Sequence, residues 1–513
     1  MHKDMELFIF FLSICLCLLL KPLLSLLLPS SKSTTKHLPP GPSRIAFLAS
    51  FVFLRKSFFE FGPIISNLRR KYGPLITVHL GSSPTIFITN NTLVHQALVL
   101  NGATFADRPK SIHNLTASHS WKIISNSPYG STWRALRRNL TGGVLHPSQL
   151  KSFSHARKRV LDNLIAGLEH DSKDNKAIYV AEHFRYAIFS LLVLLCFGDN
   201  IDDNQMKEIE VAQKESFLSY QRMKLFFIMP KLGKFFFRKL WNELNNAMIN
   251  CNNVFLFMVR SRKQEISARK NQESLSYVDT LLDFQLPGEE GTLAENHIVG
   301  LCSEFITAGT DSTTSALQWI MACIVKYPSV QAKVYEEMKA VLGQENQWVQ
   351  EDDLQKMPYL RAVILEGLRR HPPGYAPATP HAVTEDVELG GYTLPKGTAV
   401  NFLIPDIGRD PNVWEHPLEF KPERLLKSDD TSEDDSFDIT GKGEIKMMPF
   451  GAGRRICPGN GVAMLHLTYI VANLVWHFEW SPPDGEEVDL TEKYEITISM
   501  KRALKACLSP RFK

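Results

Sequence analysis

The sequence predicts a mainly α-helical fold with a minor β region, an α+β arrangement in one large body. Three observations predict it. Long stretches carry apolar residues at helical spacing, and two short stretches alternate apolar with polar residues in the strand pattern. After the N-terminal segment no repeat or linker divides the chain. Its 513 residues are 44% hydrophobic and 22% charged, enough apolar material for a large core. The net charge of +4 is spread, and no Lys/Arg block is dense enough for nucleic-acid binding.

Residues 7–20 are almost unbroken apolar, Lys21-Pro22 interrupts, and 23–28 continue. Together they make about 22 residues, the length of a bilayer span with a proline kink. A cleaved signal peptide competes, but no small-residue cleavage site follows. Residues 1–29 are therefore read as a retained membrane anchor. Lys32, Lys36 and Arg44 follow the span, while Lys3 precedes it beside Asp4 and Glu6. The positive-inside rule then puts the body in the cytosol. Residues 30–42, ending in Leu38-Pro39-Pro40-Gly41-Pro42, read as a stiff, extended hinge. Residues 43–513 form one domain in this reading.

Residues 73–89 alternate around Gly81-Ser82-Ser83-Pro84 and predict a hairpin; 387–400, punctuated by Gly390-Gly391, is a second β-like stretch. Helices are expected over 154–169, 181–196, 242–270, 293–326 and 358–370. Thr292 and Glu295 suggest a capping box for the helix that Pro328 ends. At about 34 residues it is long enough to cross the whole body. The acidic stretch 427–443 reads as a surface loop.

The eight cysteines are scattered without a CxxC pair, which argues against a zinc site, an iron–sulfur site or a disulfide framework. One of them sits in a distinctive setting. Phe450-Gly451-Ala452-Gly453-Arg454-Arg455-Ile456-Cys457-Pro458-Gly459 precedes an apolar, helix-like run over 462–478. Such a loop delivers a cysteine to the start of a helix, with Pro458 expected at the first helical position. The helix dipole and free N–H groups would favour its thiolate. Gly453 and Gly459 allow close approach to a flat partner, and Arg455 could pair with a carboxylate on it. A haem asks for all of these; a buried structural cysteine asks for none.

In the long helix, Ala308-Gly309-Thr310-Asp311-Ser312-Thr313 sets hydroxyls and an acid within an apolar run. Ser312 could hydrogen-bond back to the Ala308 carbonyl and bend the helix, opening a small polar pocket. Glu366 and Arg369 share one helix face, as do Trp133 and Arg137.

The cysteine loop resembles the haem-binding loop of the cytochrome P450 family, Phe-x-x-Gly-x-Arg-x-Cys-x-Gly, at every defined position. Ala308 to Ser312 resembles that family's oxygen-activation motif, with Ser312 where threonine is usual. Glu366-Gly367-Leu368-Arg369 and Pro422-Glu423-Arg424-Leu425 resemble its Glu-x-x-Arg and Pro-Glu-Arg-Phe motifs. Phe105-Ala106-Asp107-Arg108-Pro109 and Gly408-Arg409-Asp410-Pro411 look like plant microsomal A-type members, most of all the family numbered eighty-nine.

The resemblance implies a cytochrome P450-like fold and haem b, iron protoporphyrin IX, held by Cys457. Around it would stand Phe450, Gly459 and Arg455, with Trp133, Arg137 and His381 at its propionates. Asp311 and Ser312 would relay protons, and Glu366, Arg369 and Arg424 would form a structural charge cluster. The implied reaction inserts one atom of O2 into a small apolar substrate. Electrons would come from an NADPH-cytochrome P450 reductase, with cytochrome b5 as a further donor. The setting would be the endoplasmic reticulum membrane with its lipid. Substrate-lining positions are expected at 112–121, 305–306, 376–379 and 496–498. Two other readings remain: a haem-thiolate isomerase or dehydratase that rearranges a peroxide without reductase, and a non-catalytic haem-binding membrane protein. A P-loop or strand–Gly-x-Gly-x-x-Gly–helix is absent, which removes a nucleotide-binding enzyme.

Overall fold

The computed structural model describes residues 38–43, 61–80, 83–109, 122–173, 176–222, 236–268, 275–343, 348–374, 380–426 and 437–512. The proposed anchor, most of the hinge, and lining positions 112–121 and 376–379 lie outside them. Among the described residues no helix is long and apolar enough to cross a membrane.

Helix α1 (Phe61–Tyr72) leads into the expected hairpin, β1 (Leu75–Leu80) antiparallel to β2 (Ser83–Ile88), with Leu75 opposite Ile88. Ser83 and Pro84, part of the Gly-Ser-Ser-Pro turn signal, belong to β2. Alternation sorts the side chains onto two faces. Ile76, Val78 and Phe87 pack with Ile65 of α1, while Leu75, Ile86 and Ile88 join a second apolar cluster. The proline-rich run is docked here rather than free: Thr77 donates its N–H to the Pro40 carbonyl (3.0 Å) and its hydroxyl to Pro39 (2.5 Å).

The helices follow the apolar periodicity. The longer ones after α1 are α2 (Ser131–Gly142), α3 (Ser154–Asp171), α4 (Ala181–Phe197), α5 (Asp203–Arg222), α6 (Arg238–Ala268), α7 (Glu295–Lys326), α8 (Pro328–Leu342) and α9 (Pro358–Arg370). Helix α4 is buried without a break from Ala187 to Phe197, as an all-round apolar helix must be. It lies against α7, which also touches α6 and α9 and so forms the axis of the helical core. Gly309 permits this approach, because a Cβ there would lie 2.7 Å from Leu192 Cδ1.

One local expectation fails. Helix α7 starts at Glu295 with Ala294 as its N-cap, and no side chain caps it. Glu295 therefore stands at the first helical position rather than the third, and its carboxylate pairs with Arg260 at 2.8 Å. A Thr292–Glu295 capping box therefore does not form.

Strand β3 (His381–Ala382), the hairpin β4 (Val387–Leu389) with β5 (Tyr392–Leu394), and β6 (Ala399–Phe402) come next. Gly390 (φ 58°) and Gly391 (φ 82°) make the hairpin turn, where both central residues need positive φ. Strand β6 pairs in parallel with β2 and antiparallel with β3, giving a four-stranded sheet in the order β1-β2-β6-β3. Helix α10 (Asn460–His477) follows the cysteine loop and packs on α7, α8 and α9. The chain ends in short strands β7 (Phe478–Ser481), β8 (Glu492–Tyr494), β9 (Ile498–Met500) and β10 (Lys505–Pro510).

The cysteine loop stands between two cores. Met448 and Ala452 belong to the sheet cluster, while Phe450 and Val462 pack into the helical one.

Candidate active site

Two glycines bend the loop, Gly451 at φ 72° and Gly453 at φ 71°. Gly453 has a second constraint: a Cβ there would lie 2.1 Å from the Leu98 carbonyl oxygen. A short 3-10 turn over Gly453–Arg455 follows, and Cys457 N–H donates to the Phe450 carbonyl at 2.8 Å, closing the loop. Helix α10 begins at Asn460 with Gly459 as N-cap, so Pro458 precedes the helix rather than opening it. The Gly459 N–H is directed at the cysteine sulfur, and Arg137 adds a favourable charge. Burial outweighs both and pushes the Cys457 thiol up. The dipole alone therefore does not produce a thiolate here; a cation bound at the sulfur would.

Beside the loop lies a cationic edge. Trp133 and Arg137 share one face of α2, and Arg137 donates to the Ile456 carbonyl. Arg455 sits 4.7 Å over the Trp133 ring and donates to the carbonyls of Ala106 (2.6 Å), Ser127 (2.7 Å) and Ile124 (3.2 Å). Arg108 donates to Ser125 (2.7 Å) and Pro380 (2.8 Å). Burial lowers Arg455 to about 9 and Arg108 to about 10, which leaves both charged at neutral pH. His381 is different: burial, then Arg108, push it down to about 3. Its Nδ1–H donates to the Phe105 carbonyl at 2.7 Å, which opposes part of that fall. Trp133 Nε1 is buried with no hydrogen-bond partner.

Helix α7 forms the opposite wall. Ser312 Oγ donates to the Ala308 carbonyl at 2.7 Å, the back-bond expected of it, and the helix continues unbroken. Asp311 points the other way, toward Arg185 of α4 at 3.7 Å, with Oδ2 buried and unpartnered. Burial raises its carboxyl to about 6, against the opposing pull of Arg185 and Lys214.

A cavity of about 380 Å³ joins these parts. Cys457, Phe450 and Gly459 line it on one side, Ala308, Gly309 and Ser312 on the other, and Trp133, Arg137, His381 and Arg455 at an edge. Asp311 is not among the lining residues. A thiol on one wall, three guanidiniums and an orphaned indole N–H at the edge fit a flat, dianionic, thiolate-ligated group such as haem.

The protein-family model described as "Cytochrome P450" matches residues 39–506. The chain belongs to the cytochrome P450 family. It is 44% identical to "Cytochrome P450 89A9" of Arabidopsis thaliana, over 94% of this chain and 95% of that one. It is 30% identical to "Geraniol 8-hydroxylase" of Catharanthus roseus, over 92% and 94%. Among solved structures it resembles a zebra fish cytochrome P450 with progesterone. The TM-score is 0.72 at 22% identity, covering 88% of this chain and 99% of that one. This P450 is therefore a plant-type, family-eighty-nine-like monooxygenase of the haem-thiolate class, with the haem iron that membership brings.

Behind the P450 site, the charge cluster is assembled and buried. Arg369 makes two bonds to Glu366 (2.7 and 2.8 Å), and Arg424 Nε adds a third at 3.2 Å. The Lys421 N–H also donates to Glu366, at 2.9 Å. Their remaining donors reach the carbonyls of Gly408, Glu415, His416, Pro417 and Glu419. This cluster ties α9 to the segment ahead of the cysteine loop.

Of the expected substrate contacts among the described residues, Phe305 lines the cavity. Ile306 is fully buried in the helical core, and Ile496 and Ile498 pack with Tyr494 in a cluster of their own. Sequence reasoning missed Arg108, Arg185 and Glu304. Arg108 sits in a segment the sequence marks only by its family likeness. The partners of Arg185 and Glu304 are remote in sequence and leave no local pattern.

Proposed function

We propose that this P450 uses haem b, bound through Cys457, to insert one atom of O2 into a small, largely apolar organic substrate. We place residues 43–513 as the catalytic domain in the cytosol, held at the endoplasmic reticulum membrane by a span within 1–29 and a hinge over 30–42. An NADPH-cytochrome P450 reductase supplies the electrons, with cytochrome b5 as a further donor. The observation that carries the reading is the delivery of Cys457 into an apolar cavity whose far wall holds the Ala308–Ser312 turn.

Haem supplies the binding and reductive activation of O2, which an electron-donating thiolate ligand favours. The chain's own residues do the rest. Arg455, Arg137 and the Trp133 N–H would hold the propionates, with His381 at the same edge of the cavity. Leu192, Leu301 and Phe305 exclude water and orient an apolar substrate. Ser312 presents its oxygen to the cavity. Asp311, on the outward side of the same turn beside Arg185, takes up protons and hands them inward.

Turnover of a candidate substrate with NADPH, reductase and O2 tests this reading. Incorporation of one labelled oxygen atom that stops when reductase is omitted is the expected result. Reductase-independent rearrangement of a peroxide would instead establish the isomerase or dehydratase reading.

A further inference from the structure

Glu304 is a carboxylate in the cavity lining, and it takes no part in the proton path of Asp311 and Ser312. It lies on α7, eight positions before Ser312, and lines the cavity. Its two oxygens accept the backbone N–H groups of Ile124 (2.8 Å) and Ser125 (2.7 Å). The same short run receives the edge cations through its carbonyls. Ile124 and Ser127 accept from Arg455, at 3.2 and 2.7 Å, and Ser125 accepts from Arg108 at 2.7 Å.

One peptide unit makes the connection plain. The unit joining Ile124 to Ser125 gives its N–H to Glu304 and its carbonyl to Arg455. An oriented dipole thus stands between an anion and a cation, with charge-assisted bonds at both ends that reinforce one another. Burial raises the Glu304 carboxyl, but the Ser125 and Ile124 donors and Arg108 oppose that rise.

The geometry points to Glu304 as a positioning residue that, through the 124–127 peptide run, aims Arg455 and Arg108 at the haem propionates. It thereby ties the oxygen-side helix to the propionate edge. This inference rests on the haem seat proposed above. Glu304 need not touch haem; it fixes the carbonyls that fix the guanidiniums.

The test is the rate of haem loss from the ferric, haem-loaded full chain into excess apomyoglobin. It is measured for the parent, Glu304→Gln, Arg455→Ala and the double variant, and repeated with Arg108→Lys as the second background. Glu304→Gln keeps the size of the side chain and one acceptor oxygen, so it tests position rather than folding. The expected result is haem loss about tenfold faster in Glu304→Gln, the scale of a lost orienting contact. The thiolate-type carbon monoxide spectrum stays intact, and the extra effect of Glu304→Gln falls below about twofold once Arg455 is removed. A merely structural role would not produce that non-additivity. Parent-like haem loss in Glu304→Gln overturns the inference. So does a tenfold effect that persists unchanged in both backgrounds, or a changed KM with unchanged haem retention, which would make Glu304 a substrate contact. Absence of the thiolate spectrum in the parent would be a different failure, that of the haem seat itself.

Discussion

At the scale of single residues, the two members of the proposed proton relay, Asp311 and Ser312, point in different directions. Ser312 faces the cavity, and Asp311 faces Arg185. Asp311→Asn is expected to lower product formed per NADPH on the order of 10²-fold, the worth of a positioned proton donor, read as product against cofactor consumed. The raised carboxyl also makes a stability prediction. An acid whose folded pKa is about 6 instead of 3.8 stabilises the fold fully below pH 3.8, and that stability is lost as pH rises through 6. The parent should therefore weaken relative to Asp311→Asn by about 1–3 kcal/mol between pH 4 and pH 7, measured by urea unfolding. Ser312 lacks the β-methyl that restricts a threonine rotamer. Ser312→Thr should cut peroxide released per NADPH about twofold, the worth of one restricted rotamer. Cys457 stands out from its loop alone, whereas Trp133 and Arg137 stand out only through the family likeness of their spacing. Glu304 was not legible, since its partners Ile124 and Ser125 are about 180 positions away and are backbone groups, which no side-chain pattern records.

Elements carry a different kind of information. Helix α9 appears at its expected bounds, because Pro358 opens it and His371-Pro372 closes it. Helix α7 starts two residues late, since Glu295 answers to Arg260 across the fold and not to its own N-terminus. The cysteine loop is the most constrained element. Gly453→Ala places a methyl 2.1 Å from the Leu98 oxygen in a backbone with φ 71°, so it should abolish haem loading, read as the haem-to-protein absorbance ratio. Behind the loop, Glu366→Gln leaves buried Arg369 and half-buried Arg424 without their anion. The expected loss is about 3–5 kcal/mol, seen as a lower unfolding midpoint and haem-poor protein.

For the whole molecule, the helical class was readable from periodicity, but the assembly was not. The parallel pairing of β2 with β6 joins strands more than three hundred residues apart, and nothing local in either strand announces it. The same holds for the two cores that meet at the cysteine loop, Met448 and Ala452 on one side and Phe450 and Val462 on the other. That meeting is what sets Cys457 against the α7 hydroxyl turn, and the central claim is that this cysteine ligates haem iron. The most direct measurement is the carbon monoxide difference spectrum of the reduced, haem-loaded protein beside a Cys457→Ala control. A strongly red-shifted Soret band that vanishes in the control is the predicted result. A haem-loaded parent without that band, or a control that keeps it, would contradict the account.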